Sequence, residues 1–357
     1  MVTAATEREF TPSAGLHVIG SVFDAYKRLF ISGRTAPLLS RSNPVRRSGF
    51  DMKLTIDLVQ VEADDVVSLT LKDPNGAPLP SWLPGAHLDV FLPSGKQRQY
   101  SLCGDPADRS SYRIAVRHIR DGGGGSREVH EKLRAGNTIH VRGPRNAFQL
   151  IDAPSYLFVA GGIGITPIFP MVHAAERGGK PWRLVYLGRS LATMPFRDEL
   201  ATRGGGVLDI RPDDRFGMPN IASIVSAAKP GTAVYICGPP PLMEPARALL
   251  TAENPTASLH TERFSALPVK DGKPFDVTLQ RTGITIPVAS DESALSAIRR
   301  ALPGVKYSCQ QGFCGTCKVR VLSGEVEHRD QSLRAADRET SMLICVSRSV
   351  GPLVLDL

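Results

Sequence analysis

Cys309, Cys314 and Cys317 stand as C-x4-C-x2-C in the run Ser308-Cys309-Gln310-Gln311-Gly312-Phe313-Cys314-Gly315-Thr316-Cys317, and Cys345 follows after 27 intervening residues. Four cysteines so spaced constrain the C-terminal part of the chain, because their thiolates have to converge on one centre. This is the ligand spacing of a [2Fe–2S] cluster with the C-x4-C-x2-C…C pattern, a one-electron carrier at low potential, about −400 mV. Gly312 and Gly315 give the ligand loop backbone freedom where a Cβ would crowd the cluster, and amide N–H groups in such a loop can tune it. The competing readings are structural zinc and a disulfide pair. Zinc ribbons favour two paired C-x2-C units, whereas Cys345 stands alone. A chain that holds such a cluster is expected to move electrons.

The region resembles plant-type ferredoxins. The likeness extends past the ligands to the strand-like Lys318-Val319-Arg320-Val321-Leu322, the turn at Ser323-Gly324 and the strand-like Met342-Leu343-Ile344-Cys345-Val346.

A chain of 357 residues suggests two or three domains. No apolar stretch approaches the roughly 18 residues a bilayer span needs, and charges at Glu7, Arg8 and Glu9 break any signal-peptide pattern. A soluble, cytoplasmic protein is expected. With four cysteines assigned to a cluster, Cys103 and Cys237 remain, which fits a reducing compartment. The net charge is +8, and the first 50 residues carry seven Lys/Arg against three acidic residues. No nucleic-acid motif accompanies that excess.

Leu16, Ile19, Val22, Phe23, Tyr26 and Phe30 recur at helical spacing, which predicts an amphipathic helix over residues 15–31 within an N-terminal extension, residues 1–50. It packs on its own body or docks on a membrane surface or partner. Short β-branched runs follow from about Lys53, bounded by Pro74-Asn75-Gly76, Pro84-Gly85 and Pro93-Ser94-Gly95. They predict an antiparallel barrel over residues 51–150. From Tyr156-Leu157-Phe158-Val159-Ala160, helix-like and strand-like stretches alternate, which predicts a parallel α/β sheet over residues 151–267. A linker, residues 268–273, leads to a last domain, residues 274–357, that opens on hairpin-like strands.

Four motifs carry chemistry. Gly161-Gly162-Ile163-Gly164-Ile165-Thr166-Pro167 follows the apolar strand, where glycines let backbone N–H groups approach a phosphate at a helix N-terminus. It does not match G-x-G-x-x-G. In Arg98-Gln99-Tyr100-Ser101, an Arg can neutralise a phosphate while Tyr and Ser pack on and hydrogen-bond a flat ring. Gly122-Gly123-Gly124-Gly125-Ser126 is either a flexible loop or a phosphate nest. Tyr235-Ile236-Cys237-Gly238-Pro239 ends a buried strand, where α/β sheets bind ligands, although Cys237 is equally readable as an inert buried thiol.

These segments resemble G-G-x-G-x-T-P, R-x-Y-S and C-G-P of the ferredoxin-NADP reductase superfamily. Flavin barrel, nucleotide domain and ferredoxin, in that order, resemble the phthalate dioxygenase reductase and vanillate demethylase reductase family over about residues 53–357. The resemblance implies an antiparallel β-barrel flavin domain, an α/β parallel-sheet nucleotide domain and an α+β ferredoxin-like (β-grasp) domain. It implies that Arg98, Tyr100 and Ser101 hold FMN, with Gly125 and Ser126 at its phosphate. Gly162, Thr166, Cys237, Gly238 and Pro239 would line an NADH site, and Arg189 and Ser190 would lie near the adenosine ribose. Phe264 would stand near the flavin, and Cys309, Cys314, Cys317 and Cys345 would bind the cluster. An Arg at position 189 leaves NADPH open, FAD is not excluded, and the Arg expected just before Gly124-Gly125 is missing.

The implied function is the reductase component of an oxygenase system. Electron pairs from NADH would be divided and passed singly to a terminal oxygenase, Rieske-type or similar. No acid–base constellation is needed, and His118, His130, His173 and His260 read as structural or surface histidines. The alternatives are a reductase for a haem monooxygenase or another acceptor, and a non-catalytic flavin and iron–sulfur redox sensor.

Overall fold

The computed structural model describes residues 50–307 and 309–357. The helix expected over residues 15–31 lies outside the described residues.

Strands β1 (Phe50–Ala63), β2 (Val66–Lys72), β3 (Ala86–Phe91), β4 (Gln97–Ser101), β5 (Tyr112–Arg117) and β6 (Thr138–Asn146) form one antiparallel sheet in the order β4-β3-β6-β1-β2-β5. Its two ends meet at a bridge between Leu102 and Ile114, beside which the Cys103 N–H donates to the Arg113 carbonyl at 2.8 Å. The sheet is thereby closed into a barrel. Successive strand side chains point to opposite faces, and the core is built accordingly from i, i+2 pairs: Leu54 and Ile56, Leu69 and Leu71, Leu88 and Val90, Ile114 and Val116, Ile139 and Val141. Helix α1 (Gly125–Lys132) begins inside the glycine run. The sequence offered no helical period there, because Val129 is the one buried large apolar residue of the element.

Strands β7 (Tyr156–Gly161), β8 (Trp182–Gly188), β9 (Gly206–Pro212), β10 (Ala233–Cys237) and β11 (Ser258–Glu262) are parallel, in the order β11-β10-β7-β8-β9. Chain order reverses between β7 and β10, the switch point at which open α/β sheets bind ligands. The central strands are continuous apolar runs. Edge strands β9 and β11 are mostly half-buried, and the lack of an apolar run hid them from sequence reading. Helix α2 (Ile165–Arg177) follows β7, and α3 (Glu244–Glu253) follows β10.

The C-terminal sheet has the order β13-β12-β16-β14-β15, from β12 (Phe275–Leu279), β13 (Ile284–Val288), β14 (Lys318–Ser323), β15 (Ser341–Leu343) and β16 (Leu353–Leu355). Its first and last strands run parallel side by side at the centre. Helix α4 (Ala294–Ala301) lays Ala294, Leu295, Ala297 and Ile298 on this sheet, and the Ser293 side chain caps it by accepting from the Ser296 N–H. This is the β-grasp arrangement.

Barrel and parallel sheet are pinned together by Arg113. Its guanidinium donates to both Glu199 carboxylate oxygens, at 3.0 and 3.1 Å, and lies 4.6 Å from the Phe196 ring centroid. A planar fork suits this combined carboxylate and aromatic contact. Among the described residues no helix is long and apolar enough to cross a membrane.

Candidate functional site

The four cysteines of the C-terminal motif meet as two thiol–thiol pairs, Cys309 with Cys314 and Cys317 with Cys345. Two pairs of thiols suit a two-iron cluster, in which four cysteines are shared between the irons. The loop supplies donors to sulfur: the Gln311 N–H donates to Cys309 Sγ at 3.4 Å, and the backbone N–H groups of Phe313, Thr316 and Gly312 reach Cys309, Cys314 and Cys345. Gly312 takes a left-handed φ of 80°, and a Cβ there would come within 2.7 Å of Val346. Soft thiolates with N–H donors at the sulfurs fit an iron–sulfur cluster.

Arg98, on β4, lies across the glycine run. Its Nη2 donates to the Gly123 carbonyl at 3.1 Å, and a Cβ on Gly125 would fall 2.5 Å from Arg98 Nε. A Cβ on Gly124, which has φ 76°, would fall 3.1 Å from Lys96 Nζ. Glu128, in the first turn of α1, accepts the Ser94 N–H at 2.8 Å and so fastens the β3–β4 turn to the helix. Two cations and a helix N-terminus converge where only glycine leaves room, which suits a phosphate. Ser126 Oγ accepts the Ile119 N–H at 3.0 Å, closing the loop. On the same strand Tyr100 is half-buried, with its phenol pushed up to about 12 by burial, and Ser101 is buried.

A cavity of about 240 Å³ opens beside that strand. Its lining includes Arg98 and Ser101 from β4, Glu262 at the end of β11 and Phe264 just after it, and Cys309 and Phe313 from the cysteine loop. All three parts of the chain therefore meet at one space. Phe264 is 52 % exposed, unusual for a large aromatic side chain. Gln311 Nε2 donates to the Arg263 carbonyl at 2.7 Å, which ties the cysteine loop to the segment bearing Phe264. Burial pushes the Glu262 carboxyl up to about 8, and burial lowers His87 to about 4.

A second crevice, about 720 Å³, lies at the switch point of the parallel sheet. Gly161, Gly162, Arg189 and Pro239 line it, with Arg117 and Asp65 facing from the barrel side. Close approach explains the glycines: a Cβ on Gly161 would meet Pro239 and Leu242 at 2.8 Å, and one on Gly164 would meet the Cys237 carbonyl oxygen at 2.2 Å. Thr166 and Cys237 stand back from this wall. Thr166 Oγ1 donates to the Ile163 carbonyl at 3.0 Å, and Cys237 is fully buried, its thiol pushed well above the ordinary range by burial. Gly238 packs on Gly161, and Ser190 caps the short 3-10 turn Leu191–Thr193. Sequence reasoning missed Gln97, Glu262, Arg145 and Arg117, which belong to no local motif and gain meaning only from what folds against them.

A family model described as a 2Fe-2S iron-sulfur cluster binding domain matches residues 277–350. The chain is 38% identical over 321 residues to phthalate dioxygenase reductase from Burkholderia cepacia, covering 87% of this chain and 99% of that one. It is 41% identical over 313 residues to phenoxybenzoate dioxygenase subunit beta from Ectopseudomonas oleovorans, covering 86% and 97%. The solved structure of phthalate dioxygenase reductase superposes with a TM-score of 0.66, covering 86% of this chain and 98% of that one. An intact type IV self-sufficient cytochrome P450 monooxygenase gives 0.69 at 40% identity, but the chain spans only 44% of that longer protein. The chain belongs to the phthalate dioxygenase reductase family of flavin and iron–sulfur oxidoreductases.

Proposed function

We propose that this protein is the reductase component of an oxygenase system, drawing electron pairs from NADH and delivering single electrons to a terminal oxygenase. One observation carries the reading: the flavin-motif strand β4 and the cysteine loop line the same cavity, with Phe264 between them in the chain. Bound flavin and cluster supply the change from two-electron to one-electron chemistry.

In this reading the modules are residues 51–150, 151–267 and 274–357, joined by a linker at residues 268–273. Arg98, Gly125 and Ser126 seat the flavin phosphate, with Lys96 as a second cation. Tyr100 and Ser101 orient the ring and Phe264 covers it. The flavin is FMN, because two cations at a helix N-terminus suit a terminal phosphate monoester. Gly162, Gly238 and Pro239 let the dinucleotide approach the switch point, while Thr166 and Cys237 hold the turn and strand end behind it. Arg189 and Ser190 mark the adenosine end. Asp64, Asp65, Asp121 and Asp213 line that crevice too, against Arg117, Arg120 and Arg189, and this small excess of carboxylates favours NADH over a 2′-phosphorylated nucleotide. Cys309, Cys314, Cys317 and Cys345 bind the cluster. Six cysteines without a disulfide suit a reducing cytoplasm.

The test is an anaerobic NADH titration followed by visible absorbance and electron paramagnetic resonance (EPR), with the released flavin identified. Flavin bleaching with a reduced [2Fe–2S] signal is expected; bleaching without that signal overturns the relay. The likeness to the P450 monooxygenase favours a second reading, a haem monooxygenase as acceptor. Coupled turnover with each class of oxygenase separates the two.

A further inference from the structure

Arg145 lies near the end of β6, a strand of the barrel, yet it reaches into the cysteine loop of the ferredoxin-like part. Its side chain is 13% exposed and pairs with Asp89, which is fully buried. Gln99 Nε2 holds the other side of that carboxylate, donating to Asp89 Oδ1 at 2.9 Å. Away from this pair, Arg145 Nη1 donates to Thr316 Oγ1 at 3.1 Å, and Thr316 Oγ1 lies 3.4 Å from Cys314 Sγ. A guanidinium only donates. The Thr316 oxygen therefore accepts from Arg145, which leaves the hydroxyl proton to point at the sulfur once Cys314 is a thiolate.

An ion pair buried only for packing is readily replaced by apolar residues of similar volume. This one turns a second arm of the guanidinium towards a cluster ligand. Reduction adds a negative charge to a centre that four thiolates already make anionic. Hydrogen bonds to sulfur and nearby charge are among the determinants of cluster potential.

We propose, on the strength of the cluster assignment above, that Arg145 is a positioning residue of the barrel that acts with Thr316 to raise the reduction potential of the [2Fe–2S] cluster. The cluster's affinity for an electron then depends on the ferredoxin-like part being docked on the barrel. Asp89 moderates the charge of Arg145, while the bond to Thr316 Oγ1 keeps the guanidinium turned towards the loop.

The test is a dye-mediated redox titration of the purified holoprotein, with the reduced cluster read by EPR. R145Q is expected to lower the midpoint so that the one-electron reduction equilibrium falls about tenfold, about 59 mV. R145K is expected to stay nearer to wild type than R145Q. D89N, which removes the negative charge facing Arg145, is expected to move the midpoint the other way. EPR reports only loaded protein, so a variant that loads poorly still yields its midpoint. R145Q with a wild-type midpoint, or D89N shifted downward like R145Q, overturns the proposal. A wild-type protein with no cluster signal overturns the cluster assignment instead.

Discussion

Gln97 and Tyr307 exchange hydrogen bonds across the barrel and the ferredoxin-like part: Gln97 Nε2 donates to the Tyr307 carbonyl at 3.0 Å, and Tyr307 Oη donates to the Gln97 carbonyl at 3.3 Å. Gln97 precedes Arg98 and Tyr307 stands two residues before Cys309, so this clasp joins the flavin-motif strand to the cysteine loop. Arg299, 4.2 Å above the Tyr307 ring, braces it. Gln97→Ala removes one side-chain bond of about 1 kcal/mol, about a fivefold shift away from the docked arrangement. Stopped-flow absorbance is expected to show unchanged flavin reduction by NADH and slower appearance of reduced cluster.

Cys345 approaches the motif from a distant part of the chain and completes the second thiol pair with Cys317. Cys345→Ala is expected to abolish the EPR signal and most bound iron while the flavin still bleaches with NADH. Iron analysis and coupled turnover check it; a protein that retains its cluster would assign the fourth ligand elsewhere.

Arg98 is expected to set flavin affinity. A hydrogen bond to a charged group contributes about 1.5–3 kcal/mol, so Arg98→Gln should weaken flavin binding by roughly 10- to 100-fold. Flavin fluorescence released on dilution measures this. Gly125→Ala should act in the same direction, because its Cβ would fall 2.5 Å from Arg98 Nε.

Glu262 gives a pH dependence of stability. Burial raises its carboxyl to about 8 in the folded protein, from an ordinary value of 4.5. The folded state then holds the proton longer than the unfolded chain does, so stability is full below about pH 4.5 and is lost as pH rises towards 8. Glu262 Oε2 has no hydrogen-bond partner, which leaves the ionised form uncompensated. Glu262→Gln removes the titration, and its Tm relative to wild type should rise between pH 5 and pH 8. A constant difference would remove Glu262 from this role.

The cysteine spacing, the apolar strand before Gly161-Gly162 and the short β-branched runs were legible in the chain because each is a local signal. Sulfur ligands, a phosphate turn and strand alternation impose their pattern within a few residues. The family resemblance, which rests on three such segments in order, was legible for the same reason. Strands β9 and β11 and helices α1 and α4 were not. The two strands are sheet edges without an apolar run. Helix α1 is short and polar, and α4, although capped by Ser293 and amphipathic, spans only eight residues, so its apolar stripe repeats over little more than two turns. Which side chains line the shared cavity was decided only by tertiary structure. Gln97 and Tyr307, Asp89 and Arg145, Arg145 and Thr316 are far apart in the chain, and nothing in their neighbours' identities foretells the partner. Residue chemistry determined that the chain could hold a cluster, a phosphate and a dinucleotide. Tertiary packing decided that the cysteine loop and strand β4 share one wall, because buried polar groups must find partners and these two surfaces supply them to each other.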